Sequence, residues 1–251
     1  MRRIRPVVLS LLPTLLLAVP TDGVAVDIHA FQVVKQSCEH EDYSRIETGP
    51  DGPFLRARYR PPMDTCVRGI EAPERFKRTL AAVRWRWRVQ AFPRGADDCN
   101  PDVGDAPAGV FATFKAGLKT MVIKYVWNSV SPVHKTCELA NNPFFAKREI
   151  VLRVAGELDT WHTETVDPRA DFVRYFGGKL EDVPDFVGLG VLTDGDATKS
   201  PSEGDYADFV LFDRHPVPEA SEPQAHAGRP HPDGGTLEVV PAIERGSARD
   251  H

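Results

Sequence analysis

The stretch that decides the fold is VRWRWRVQA, residues 83–91. Val83, Trp85, Trp87, Val89 and Ala91 share one side of an extended chain; Arg84, Arg86, Arg88 and Gln90 share the other. Successive side chains of a strand point to opposite faces, so this reads as a strand with one buried and one wet side. Two indoles among valines mark the inside. Three guanidiniums mark the outside, where their long stems can cover apolar surface while the heads stay in water.

Working outward, the same period of two recurs. FLRARY (54–59) alternates, and TMVIKYVW (120–127) puts Met121, Ile123, Tyr125 and Trp127 on one face. IHAFQVV (28–34), GVFATF (near 110–114), EIVLRVA (149–155), TWHTETV (160–166) and YADFVLF (206–212) read as further strands. FVGLGVLT (186–193) is apolar on both faces and reads as a central one. The separators GPDGP, RGADD, KAGLK, SVSPVHK and AGELD are turn chemistry. Short strands at such intervals predict an all-β, antiparallel β-sandwich or barrel. One helix is expected, capped by Asp167, opened by Pro168 and ended by Gly177, with Ala170, Val173 and Phe176 facing the core. A second, shorter one is expected between Pro73 and Leu80.

The ends differ from the middle. MRRIR, then VVLSLLPTLLLAV, then DGVA has the basic, apolar and small-residue order of a secretory signal, with cleavage expected after Ala25. The expected layout is a signal peptide over 1–25, a β-sandwich domain over 26–214 and a disordered tail over 215–251, where Pro, Gly and charge dominate. That predicts a periplasmic or secreted protein with no membrane span. The net charge of -5 becomes about -7 once a leader of +2 is removed, which argues against nucleic acid as a partner. In an oxidising compartment Cys38, Cys66, Cys99 and Cys137 are expected as disulfides. Four cysteines allow three pairings; the sequential one is expected, at roughly 3 kcal/mol per bridge.

Taken in order, RWRWRV, GADD, KYVW, TW-x-x-E-x-V-D, DFVRYFGG, GLGVLTDGDAT and DYADFVLF resemble an exported bacterial family of unknown function, domain-of-unknown-function family 3047, from about Phe31 to Phe212. The resemblance implies no activity. The closing pattern, a Gly-rich strand, an acidic turn and an Asp-bearing last strand, is similar to galactose-binding-like jelly rolls, which implies a jelly-roll sandwich. The chain departs from the family pattern at Cys99 and Cys137, which stand in loops that usually lack cysteine, and at Thr165, where Arg is usual.

Three groups carry possible chemistry. Arg84, Arg86 and Arg88, with Trp161 and Glu164, form the candidate ligand-binding set, since a row of guanidiniums can stack on a sugar or clamp an anion. Lys124 and Glu149 are candidates for the same face. Asp194, Asp196 and Asp208 form the candidate metal set. Counting a calcium loop from Asp194 puts Asp196 third and Asp205 twelfth, but Lys199 sixth, where glycine is needed. Ca2+ is thus weighed against acids that merely solvate and cap a tight hairpin connection between the antiparallel strands FVGLGVLT and YADFVLF. Ala207, Phe209 and Leu211 are expected inward and Asp208 on the opposite, solvated face. His162 and Glu164, two apart on one strand face, are a possible acid–base pair. The sequence has no GxSxG, HExxH or P-loop. The expected function is non-catalytic binding of a carbohydrate or cell-envelope glycan. A polysaccharide hydrolase and a structural envelope protein are the alternatives.

Overall fold

The computed structural model describes residues 23–34, 38 and 43–216; the expected tail from 217 on and leader residues 1–22 lie outside them. Along the chain run β1 (Val24–Ala25), β2 (Gln32–Val33), β3 (Ser44–Gly49), β4 (Gly52–Tyr59), β5 (Arg68–Glu71), α1 (Phe76–Thr79), β6 (Ala82–Ala91), β7 (Ala108–Ala116) and β8 (Lys119–Asn128). Then follow β9 (Thr136–Asn141), β10 (Phe145–Val154), β11 (His162–Val166), α2 (Pro168–Phe176), β12 (Asp185–Leu192) and β13 (Ser202–Phe212). They form two sheets. Sheet A has the order β11-β6-β13-β4-β3, with β1 beside β13; sheet B has the order β2-β5-β12-β7-β8-β10-β9. This is an all-β sandwich of jelly-roll type with two short α-helices. Every pairing is antiparallel except β8–β10, where β10 is inserted between β8 and β9 and runs parallel to β8.

The alternation in β6 is realised as read. Trp85, Trp87 and Val89 are fully buried between the sheets. Trp85 lies edge-on to Trp87 at 5.4 Å and stacks on Phe209 at 6.4 Å, and Trp87 meets Trp127 of sheet B at 5.8 Å. Ile123, Tyr125 and Trp127 fill the opposite side of the same core. β12 lies inside sheet B, between β5 and β7.

Four expectations are corrected. Residues 28–34 form a single 3-10 turn and a two-residue strand rather than one long strand. Val24–Ala25 pairs with β13, so the folded domain begins before residue 26. In α2 the cap is as expected, with Asp167 accepting from Arg169 N and Ala170 N, but Ala170 is exposed. Phe172 faces inward instead, because it packs between Phe114 and Phe176. Finally, β12 and β13 belong to different sheets, so the acidic stretch between them is a crossover and not a hairpin turn.

The outer face of sheet B is also covered. Loop 92–106 folds over it, closing a small second core of Ala106, Val126 and Val151 against Cys99. Asp97 fastens that loop by accepting from Asn128 Nδ2 at 3.1 Å and Ser131 Oγ at 2.6 Å. The bridge Cys99–Cys137 ties it to β9, and Cys38–Cys66 is the other bridge, leaving no free cysteine among the described residues. Replacing both Cys99 and Cys137 by Ser should lower unfolding free energy by about 4 kcal/mol, the cost expected for opening a loop of this length. Denaturant titration of the double variant checks it; a loss below about 1 kcal/mol would mean the loop is held by its hydrogen bonds alone.

Candidate binding site and acidic crossover

The arginine face of sheet A is a lattice of opposite charges. Asp205 on β13 stands directly across from Arg88 on β6 and Arg56 on β4, and its side chain is fully buried beneath them. It accepts from Arg56 Nε at 2.8 Å and Nη2 at 2.9 Å, from Arg88 Nε at 2.7 Å and from Gln90 Nε2 at 2.8 Å. Arg56 also meets Glu47 at 2.9 Å, and Arg58 meets Glu203 at 2.6 Å. Arg86 donates through Nε to Asp208.

A bulge re-aims the chain here. The β13–β6 register shifts between Ala207 and Val210, and Asp208 takes a left-handed φ of 54°. Ala207 therefore shares the outer face with Arg86, contrary to the expectation that it points inward with Phe209, while Phe209 and Leu211 return to the core. Asp208 is exposed, as expected, and pairs with an arginine.

Above Ala207 lies a pocket of about 150 Å³. The β3–β4 turn with Asp51 and Phe54 forms one wall, Trp161 the other, and Arg86 and Arg88 line it. Trp161 meets Phe54 edge-on at 5.8 Å. The Arg86 and Arg88 guanidiniums lie 5.2 and 4.7 Å from the Trp161 ring centre, within cation–π range. With its Nε engaged by Asp205, Arg88 keeps its two terminal nitrogens for another acceptor.

Of the candidate ligand set, the structure thus joins Arg86, Arg88 and Trp161. Arg84 lies apart, its guanidinium 5.2 Å from the ring of Phe212. Glu164 is corrected: across β11–β6 it pairs with Trp85, which puts it on the inner face at the sheet edge, where it accepts from Trp87 Nε1 at 3.3 Å and binds Arg153. His162, its possible acid–base partner, meets Trp127 edge-on at 5.1 Å, and burial followed by the nearby Arg153 charge lowers its pKa. Lys124 and Glu149 are corrected too. They sit buried on the outer face of sheet B, under loop 92–106, with Asp98. Phe54 lines the pocket and Asp205 lies buried beneath Arg88; both were missed, because only strand order brings them beside Arg88.

The candidate metal set divides likewise. Asp194 and Asp196 meet Asp105, one ligand oxygen from each lying within 4.8 Å of the others, and Asp208 is elsewhere. This trio could hold a cation. It is also furnished with protein donors: Asp105 accepts from Ala197 N at 3.1 Å and Thr198 N at 2.7 Å, and Asp194 from Gly195 N at 2.8 Å. Burial, ahead of the hydrogen bond and charge of Asp196, pushes the Asp194 carboxyl up to about 8 against the pull of Lys124.

A family model described as "Protein of unknown function (DUF3047)" matches residues 35–210. The chain belongs to the DUF3047 family. No curated protein matches it in sequence. Among solved structures, it is similar to a thermostable cellulase derived from the Cel12A cellulase of Rhodothermus marinus, at 17% identity and a TM-score of 0.44, over 76% of this chain and 94% of that one. It is also similar to the xyloglucanase domain of NopAA from Sinorhizobium fredii, at 6% identity and a TM-score of 0.38, over 75% and 96%. A third is Endoglucanase 3 of Trichoderma harzianum, at 10% identity and a TM-score of 0.37, over 72% and 96%. No helix of this DUF3047 chain, among the described residues, is long and apolar enough to cross a membrane.

Two outcomes follow. Asp205→Asn leaves two arginines without their shared counter-charge, and should cost about 3 kcal/mol, at the low end for a broken buried pair because both arginines keep some solvent contact. Chemical denaturation measures it. For Asp194, the folded chain holds a proton that the unfolded chain releases near its ordinary value of about 4. The stability from that proton is full below about 4 and is lost as pH climbs to about 8. Asp194→Asn should therefore flatten the fall in melting temperature over that range. An unchanged slope would place the proton on another group.

Proposed function

We propose that this DUF3047 protein is an exported, non-catalytic binder of an acidic carbohydrate of the cell envelope, seated at the Trp161 pocket. One observation carries the reading: an indole wall and two oriented guanidiniums converge on an outer sheet face. An aromatic ring packs against the apolar face of a sugar, and a guanidinium fork matches a carboxylate or phosphate better than a hydroxyl. Arg88 supplies that fork with its orientation already fixed by Asp205 and Trp161, so little side-chain entropy is lost on binding. The pocket's 150 Å³ is below the ~300–1,000 Å³ of sites that enclose drug-sized ligands. A polymer would therefore lie across the face with one charged residue inserted. Two disulfides are compatible with an exported setting.

Binding of a polyuronate and of a neutral β-glucan, followed by tryptophan fluorescence, tests the proposal. The polyuronate should bind and weaken with added salt. Trp161→Ala and Arg88→Ala should each weaken it by about tenfold or more, equivalent to about 1.4 kcal/mol. Arg84→Ala should leave it unchanged, and melting curves check that each variant is folded. Equal affinity for the neutral glucan, or equal loss with Arg84→Ala, would defeat the reading. Release of new reducing ends would favour a hydrolase instead.

A further inference from the structure

The buried charges on sheet B form a second centre, closed off from the pocket. We propose that Lys124 and Asp98 condense into an intramolecular isopeptide bond, with Glu149 carrying the protons. Lys124 Nζ is in direct contact with Asp98 Oδ2, and their side chains are only 2% and 4% exposed. Glu149, fully buried, pairs with Lys124 across the parallel β8–β10 ladder, and its Oε2 lies 3.9 Å from Nζ. The negative charge of Asp98 also acts on Glu149. The three groups that such a condensation needs are therefore mutually in reach: an amine, an acid and a proton carrier.

The surroundings are dry and crowded with charge, and the two carboxylates hold Lys124 as the ammonium, so the step begins from an ion pair. Val126 and Val151 are fully buried in the small core beneath the same loop, and the Phe111 ring centre is 5.9 Å from Nζ. Gly109 leaves room for the lysine stem; a Cβ there would come within 2.9 Å of Lys124 Cε. Lys124 lies between two carboxyl groups, with the charge of Lys147 also acting on them, and among the described residues Glu149 Oε2 has no hydrogen-bond partner. Charges so placed cost several kcal/mol each in desolvation, and an amide removes two of them. Burial also raises Glu149 to about 8, ahead of Lys124 pulling it down, so near neutral pH it carries the proton the step requires. Asp98 is held in place by its neighbours, Asp97 in its hydrogen bonds and Cys99 in its bridge. Fixing the reactants in this way replaces a bimolecular encounter, with effective molarities of order 10⁵–10⁸ M.

The step balances without oxidant or cofactor. One proton moves across the contact from the Lys124 ammonium to the Asp98 carboxylate. The amine nitrogen attacks Asp98 Cγ, and the Nζ–Cγ bond forms as the carbonyl electron pair moves to oxygen. Glu149 protonates the departing hydroxyl and takes a proton from the nitrogen. The Cγ–O bond breaks, one water leaves, and Glu149 ends as the acid it was.

Intact mass of the purified, reduced and denatured chain tests this directly. The chain should be lighter by one water, and digestion should yield two peptides joined through Asp98 and Lys124. Asp98→Asn should reach the same final mass as the wild type, because ammonia leaves in place of water. Lys124→Arg should show no loss, and Glu149→Gln should leave most chains unlinked. An unshifted wild-type mass overturns the proposal. So does a water loss confined to a single peptide, as a cyclic imide at Asp194–Gly195 or Asp51–Gly52 would give. The wild-type reading stands even if a variant fails to fold.

Discussion

Strand β6 must bury two indoles on one face while holding three guanidiniums on the other, and the pairing of β6 with β13 reconciles the two. Inside, Tyr206 of β13 lies across from Trp87, and Phe209 stacks on Trp85. Outside, the same register sets Asp205 across from Arg88. Like charges in a row repel, and a buried carboxylate without partners is costly. Each problem removes the other, because one buried acid takes four hydrogen bonds from Arg56, Arg88 and Gln90. Slipping the register by one residue would turn the tryptophans outward and strand the acid. The pocket at Trp161 is a by-product of that pairing: the bulge at Asp208 puts small Ala207 on the outer face where a longer side chain would fill the space.

How much of this was legible depended on whether a feature is local. The faces of β6 and β8 follow from period two alone, and Trp85, Trp87 and Trp127 fall inside as their neighbours imply. The cap at Asp167 is likewise local, since an aspartate side chain needs only the next two or three amides. The tilt of α2 is not: Phe172 displaces Ala170 from the inner face because aromatic partners on another strand and along the helix receive it. Bulges defeat parity in the same way, as Ala207 does.

The candidate sites were half legible for the same reason. Arg86, Arg88 and Trp161 were recognised by type, and the sheet brings them together. Phe54 and Asp205 join them through strand order, which no local pattern encodes. Glu164 was assigned to the arginines on chemistry, yet antiparallel pairing with β6 sets it opposite Trp85 and so on the other face. Asp105 entered the acidic trio in place of Asp208 because the crossover from β12 to β13 folds back against the chain entering β7.

Lys124 and Glu149 are the instructive misreading. Their residue types put them with the arginine row on a usually wet outer face, yet strand order places them on the other sheet. Loop 92–106 overrides that default, and once it closes, the two outer faces solve the same electrostatic problem differently. On sheet A, Asp205 is completely satisfied, its arginines keep solvent contact, and Arg88 retains donors for an incoming anion. On sheet B the Lys124, Asp98 and Glu149 side chains are almost wholly buried, and Glu149 Oε2 lacks a donor among the described residues. An open, balanced lattice suits reversible binding, because water can replace a ligand at little cost. A closed, unbalanced one can relax only by moving protons or by bond formation. The two outer faces are thus built on different electrostatic plans, and the core aromatics keep them apart.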